Sequence, residues 1–169
     1  MANRHVVFSH GSGGSTRSAK IAALAQTARV EGYSVVAVDY GKEDRPKERI
    51  AMLCDACQPL QGEVVLVGAS LGGYVSLAVA SLLHAKAVFL MAPAIYVADL
   101  PPLRESKFEF PISLVHGWHD TVIPVEHSIR FAREHNAPLQ VLNTDHRMHD
   151  QLPVIRHFFE HFIISIDLR

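Results

Sequence analysis

The chain has 169 residues, with 16 Lys+Arg against 17 Asp+Glu and a formal net charge of −1. That length suits one domain of about 100–200 residues and leaves no room for a cofactor domain beside a substrate domain. The near-neutral balance excludes a global basic field for nucleic acid or an acidic membrane, and 49% apolar with 20% charged residues excludes a disordered chain.

The first apolar run, His5-Val-Val-Phe-Ser9, begins almost at once after Met1. It is shorter than the core of about 7–15 residues that a signal peptide needs. No run approaches the roughly 18 apolar residues of a membrane span, so a cytoplasmic protein that binds no membrane is expected. Further short runs follow at 34–39, 64–67, 87–91, 112–115 and 139–142. Most are continuous rather than alternating, the pattern of parallel strands buried on both faces, which accounts for a mean hydropathy of +0.13. Helical spacing separates them. Residues 16–31 carry Ile21, Leu24, Ala25 and Ala28 and stop at Gly32. Further helices are expected at about 43–57, at 71–84, and at 124–136 with Pro124 at the first helical position. The last, from 150 to about 165, gathers Leu152, Ile155, Phe158, Phe159 and Phe162 on one broad face. The alternation predicts an α/β fold in one domain over 1–169: a mostly parallel sheet of about six strands in a three-layer αβα arrangement with right-handed crossovers. Residues 94–111, with Asp99-Leu-Pro-Pro-Leu103 and Glu105-Ser-Lys-Phe108, break the rhythm. An irregular segment is expected there, at the C-terminal sheet edge where ligands bind in such folds. Cys54 and Cys57 form a C-x-x-C late in a helix rather than at a helix N-terminus after a strand, so they read as two small semi-buried side chains, not a redox pair.

The strongest chemical signal is Gly68-Ala69-Ser70-Leu71-Gly72, followed by Gly73, directly after a strand and directly before a helix. In that context G-x-S-x-G puts a serine on a sharp, crowded turn that projects Oγ above the sheet. The competing reading is a Gly-rich turn with Ser70 as a helix cap. A serine nucleophile needs a base, and the base needs an acid to orient it, in the chain order Ser, acid, His. The loop after the strand at 112–115 supplies Asp120, and the loop after the last strand supplies His146. His149 competes with His146, but sits closer to the final helix. Asp99 competes with Asp120, but lies in the irregular segment. Asp145 is either a support beside the base or simply solvated.

An oxyanion needs preorganised N–H donors. One is expected from Leu71, after the nucleophile, and the other from the first βα loop, His10-Gly-Ser-Gly-Gly-Ser-Thr16, with Ser12 as the best donor. A phosphate-binding reading of that loop is weak: it lacks the Lys of G-x-x-x-x-G-K-[ST] and the third Gly of G-x-G-x-x-G.

Ser9-His-Gly-Ser-Gly-Gly14, Gly68-Ala-Ser-Leu-Gly-Gly73, His116-Gly-Trp-His-Asp-Thr-Val-Ile-Pro124 and Asp145-His146-Arg147 together resemble the α/β-hydrolase family, in particular its small, lidless esterase-like members. The resemblance spans nearly the whole chain. It implies a Ser70–Asp120–His146 triad and an acyl-serine intermediate. It departs from larger members in having neither the antiparallel strands before the first parallel strand nor a cap domain, unless 94–111 is its remnant.

The eleven histidines remain. His10 and His116 each precede Gly at a strand end, where a ring can brace a loop. His116/His119, His146/His149 and His157/His161 have the spacing of metal pairs, but none has a third ligand or an H-E-x-x-H, so no metal or other cofactor is expected. Protonation below about pH 6.5 would turn the surface positive. The function expected is a serine hydrolase acting on small ester or thioester substrates at a shallow, open cleft built from Ser12, Tyr96, Leu100, Trp118 and Met148. Amide hydrolysis would ask more of leaving-group protonation. The alternative is a non-catalytic binding protein on the same scaffold.

Overall fold

The computed structural model describes residues 3–104 and 107–167. Six strands form one all-parallel sheet in the order β2-β1-β3-β4-β5-β6. They are β1 (Arg4–Ser9), β2 (Ser34–Val38), β3 (Glu63–Ala69), β4 (Ala87–Met91), β5 (Ile112–Gly117) and β6 (Leu139–Leu142). Every strand but β4 is followed by a helix: α1 (Ala19–Val30), α2 (Pro46–Cys57), α3 (Leu71–Ala80), α4 (Val125–His135) and α5 (Leu152–Asp167), with a short 3₁₀ turn at His149–Gln151. The chain thus has the three-layer αβα arrangement expected. The middle strands are buried along their length because helices cover both faces, which is why their sequences run continuously apolar.

Two cores lie on either side of the sheet. Phe8, Val65, Phe89 and Val115 pack against Leu24 of α1 and Phe159 of α5. Val7, Leu66, Leu90 and Leu114 pack against Leu53 of α2, Leu77 of α3 and Phe131 of α4. Cys57 is a free, buried thiol of the second core, pushed by burial to about 11, so the C-x-x-C is packing rather than redox chemistry.

The helix boundaries differ from expectation for local reasons. α1 starts at Ala19 because Ser18 caps it, its Oγ accepting from the Ile21 N–H at 3.3 Å. α2 starts at Pro46 because Arg45, preceding a proline, is held extended. Pro124 is the capping residue of α4, with an extended ψ of 132°, rather than its first helical residue. α3 stops at Ala80, four residues early, and the chain turns through a left-handed His84. Residues 92–111 contain no regular element among those described, as expected of this segment; Glu105 and Ser106 lie outside the described residues.

Register aligns the sheet's C-terminal edge: Ser9 pairs with Gly68, Met91 with Val115 and Gly117 with Leu142. The loops that follow β1, β3, β5 and β6 therefore open on one side. Among the described residues no helix is long and apolar enough to cross a membrane.

Candidate active site

Ser70 sits between β3 and α3 with φ 52° and ψ −123°, a conformation that strains a non-glycine residue. The turn is held on three sides: the Ser70 N–H donates to Met91 O at 3.0 Å, and Ser70 O accepts from Gly73 N at 2.9 Å and Ala94 N at 3.0 Å. Its side chain makes no capping hydrogen bond, so Oγ is not consumed by the helix end. The glycines are enforced by contact. A Cβ at Gly72 would lie 2.0 Å from Ser9 O, and one at Gly68 would lie 2.5 Å from Gly72 O. A Cβ at Gly11 would come within 2.9 Å of the Ser70 Cβ, so the β1–α1 loop passes directly against the serine.

Asp120, in the loop after β5, is fully buried at its side chain. Its Oδ1 accepts the Val122 and Ile123 N–H groups, both at 2.8 Å. Its Oδ2 accepts from His146 Nδ1 at 2.6 Å and faces His116 Nε2 at 3.0 Å. Burial alone would push this carboxyl up, but the bonds from His146 and the two amides outweigh it and hold it below its ordinary value. The acid is thus ionised and fixed, and with Nδ1–H committed to it the other His146 nitrogen is left as a base.

His116 was read from sequence only as a loop brace. Its Nε2 faces two acceptors, Asp120 Oδ2 and Ile123 O at 3.0 Å, so that nitrogen carries the proton, and Nδ1 accepts from Ser128 Oγ at 2.7 Å. The ring is buried, and burial holds its pKa below the usual histidine range. It therefore supports the acid as a neutral donor. The His146 loop is shaped by Asp145, whose Oδ1 accepts the Arg147 N–H at 2.8 Å and the Met148 N–H at 3.1 Å.

Ser70 and His146 line one cavity of about 340 Å³ together with Gly11, Gly13 and Gly14. Leu71, buried, begins α3, where a helix's first N–H groups have no partner within the helix. Ser12 is exposed and does not line this cavity, although Gly11 and Gly13 on either side of it do. The Gly14 N–H donates to Gly11 O at 3.0 Å, closing a turn whose third position, Gly13, has φ +63°.

The other expected cleft residues disperse. Tyr96 and Leu100 line a second recess of about 660 Å³ between residues 95–103 and α4. Arg130 stacks over the Tyr96 ring at 4.1 Å, and the Tyr96 hydroxyl bonds Glu134. Trp118 is 56% exposed and borders neither cavity. Met148 corrects the expectation of a cleft wall: its apolar side chain is fully buried in the core with Ile155 and Phe159, from a backbone at φ 54°. His149 and Asp99 are both exposed, and neither pairs as His146 and Asp120 do. His119 bonds Asn143 Oδ1 at 2.7 Å, and among the described residues no three His, Cys, Asp or Glu form a metal-binding group.

Arg49 is the residue that sequence reasoning missed. It comes from α2, fully buried, and donates to His10 O at 2.6 Å, Glu43 O at 2.5 Å and Asp44 Oδ1 at 2.9 Å. It anchors the carbonyls of the β1–α1 loop from below while stacking on Tyr40 at 4.4 Å. A signal existed: Arg49, Leu53 and Cys57 fall at i, i+4, i+8 on the buried face of α2.

A family model described as "Alpha/beta hydrolase family" matches residues 6–162. The chain belongs to the alpha/beta hydrolase family. Among solved structures, a putative hydrolase of the alpha/beta superfamily from Xanthomonas campestris pv. campestris is 28% identical over 95% of this chain and 98% of its own, with a TM-score of 0.88. Est1E from Butyrivibrio proteoclasticus, also solved with ferulic acid bound, shares the fold at TM-score 0.83 and 16% identity over 99% of this chain and 89% of its own. A second Xanthomonas campestris protein, described as an α/β serine hydrolase without a lid, shares it at TM-score 0.77 and 18% identity over 98% of this chain and 83% of its own. No curated protein matches the chain.

Proposed function

We propose that this hydrolase cleaves small esters or thioesters through an acyl-serine intermediate, with Ser70 as nucleophile, His146 as base and Asp120 as its orienting acid. The observation that carries the reading is the pairing of a strained, uncapped Ser70 with an acid-bonded His146 on one cavity. A serine that merely capped α3 would have no need of such a partner.

In the first half-reaction His146 Nε2 takes the Ser70 hydroxyl proton as Oγ bonds to the substrate carbonyl carbon. The resulting oxyanion is met by the Leu71 N–H and by an N–H of the β1–α1 loop, whose Gly11, Gly13 and Gly14 line the cavity. The carbon–oxygen (or carbon–sulfur) bond to the leaving group then breaks, and the His146 proton goes to that group. In the second half-reaction a water gives its proton to His146 and adds to the acyl carbon. The Ser70 ester bond breaks and the proton returns to Oγ. Asp120 keeps His146 in the right tautomer and stabilises the imidazolium, and neutral His116 donates to Asp120 without adding charge. A cavity of about 340 Å³ lies at the small end of the range for ligand sites, which supports a short substrate.

A fluorophosphonate probe tests the reading. Wild-type protein should be labelled at Ser70 and the Ser70→Ala variant should not. A wild-type protein that stays unlabelled is a binding protein on a hydrolase scaffold.

A further inference from the structure

The cavity that holds Ser70 carries an unusual wall. Lys20, Arg147 and His149 line it, and so do Ser15 and Ser18, but no Asp or Glu does. In a chain of net charge −1 this is local enrichment rather than general basicity. Lys20 is also placed against ordinary helix electrostatics. It lies in the first turn of α1, where the helix end is already partially positive and carboxylates are favoured, yet that turn contains no acidic residue. Among the described residues no carboxylate comes within ion-pair distance of its ammonium, and burial lowers its pKa against the pull of the more distant Asp145 and Asp120.

The neutral donors are arranged in the same sense. Ser15 Oγ accepts the Arg17 N–H at 3.1 Å and Ser18 Oγ accepts the Ile21 N–H at 3.3 Å, which leaves each O–H to donate elsewhere. His10, 4% exposed and also lining the cavity, donates its Nδ1–H to Gly11 O at 2.8 Å, so its unpartnered Nε2 is an acceptor and adds no donor to this set. A half-buried ammonium, a guanidinium and two hydroxyl donors around one small cavity are the components of an anion site.

Building on the hydrolase reading above, we infer that the substrate carries an anionic group, a carboxylate or a phosphate, which Lys20 and Arg147 bind while Ser70 reaches the ester carbonyl. The first turn of α1 supplies further N–H donors to that group. An open site with no cap domain would then take selectivity from charge rather than from an enclosing acyl pocket.

The test compares 4-nitrophenyl monoadipate with the same ester whose distal carboxylate is masked as a methyl ester. A phosphonate in place of the carboxylate distinguishes the two anions. Wild-type kcat/KM should favour an anionic ester by about tenfold or more, the scale of one charge-assisted hydrogen bond. Lys20→Met and Arg147→Gln should each remove most of that ratio, and Lys47→Met, on the exposed side of α2, should keep it. A ratio near one in wild type, or one that survives both substitutions, overturns the inference and leaves ester hydrolysis standing. If neither ester is turned over and Ser70 resists labelling, the hydrolase reading fails, and the thermal midpoint judges the anion site alone. Adipate or inorganic phosphate should raise it in wild type and not in the Lys20→Met and Arg147→Gln variants, and dimethyl adipate should raise it in none. Equal midpoints with and without either anion overturn the site. Unliganded midpoints of both variants identify any that fail to fold; the other then carries the comparison.

Discussion

The two cavities at the C-terminal side of the sheet are built by different means. The one around Ser70 and His146 is made of strand ends: Ser70 is tied to Met91, Asp120 lies in the loop after β5, and Gly11, Gly68 and Gly72 are required because a Cβ there would lie only 2.0–2.9 Å from a neighbouring atom. The one around Tyr96 and Leu100 is made of an irregular segment leaning on α4, held by a stacked Arg130 and a Tyr96–Glu134 bond at the surface. Backbone pairing across a sheet places atoms far more firmly than exposed side-chain contacts do. The firmer cavity is the one where the proposed chemistry needs fixed atoms.

The largest expected effect lies in the first cavity. His146→Ala should lower kcat on a 4-nitrophenyl ester by roughly 10⁴–10⁶, because base and nucleophile act as a unit. His149→Ala should change it by less than about tenfold, since His149 is exposed and lacks the Asp120 bond. Steady-state kinetics of both variants decide the matter, and the reverse order of losses means the base is misassigned. Next comes the floor beneath that cavity. Arg49→Met should cost about 3 kcal/mol or more in urea denaturation, because it leaves His10 O and Glu43 O without their donor, while the exposed Asp44 returns to water. A loss under about 1 kcal/mol would show that the loop holds without the clamp. In the second cavity, Tyr96→Ala and Leu100→Ala should each change kcat/KM for a short ester by less than about tenfold. A larger loss would make the two cavities one site.

The contrast also explains what the sequence made legible. G-x-S-x-G, the loop aspartate and the loop histidine were readable because parallel strands bring their following loops to one edge, and because a strained serine turn admits few residues around it. The continuous apolar runs reported the sheet for the same reason: burial on both faces leaves no alternation. Tyr96, Leu100, Trp118 and Met148 scattered because loop side chains are aimed by local φ/ψ and by packing, neither of which leaves a periodic trace. Met148 combines a positive φ with full burial, and neither shows in the residue pattern. Arg49 and Lys20 were hidden for the opposite reason, since a basic residue on an amphipathic helix reads as surface unless the buried face is traced residue by residue. His116 was half-read: its role as brace was visible, its bond to Asp120 was not.

That bond supports the smallest effect, a pH-dependent one. His116 is buried between Asp120, Ile123 O and Ser128, with the His146 ring also near enough to oppose a second positive charge. Burial holds its folded pKa below the unfolded value of about 6.5, so between those two values the unfolded chain binds the extra proton. Its contribution to stability is therefore complete above about pH 6.5 and is lost as the pH falls, by at most about 1.4 kcal/mol per pH unit for one proton. His116→Gln removes this titration while leaving a side chain able to hydrogen-bond. Urea denaturation of wild type and variant between about pH 7 and pH 5 should show the wild-type advantage shrinking as the solution is acidified. Asp120 does not confuse that window, because a carboxylate held below its ordinary value gives up its contribution only at lower pH. Parallel curves would mean that His116 is not held neutral in the folded state, and the donor that steadies Asp120 would then be a charged one.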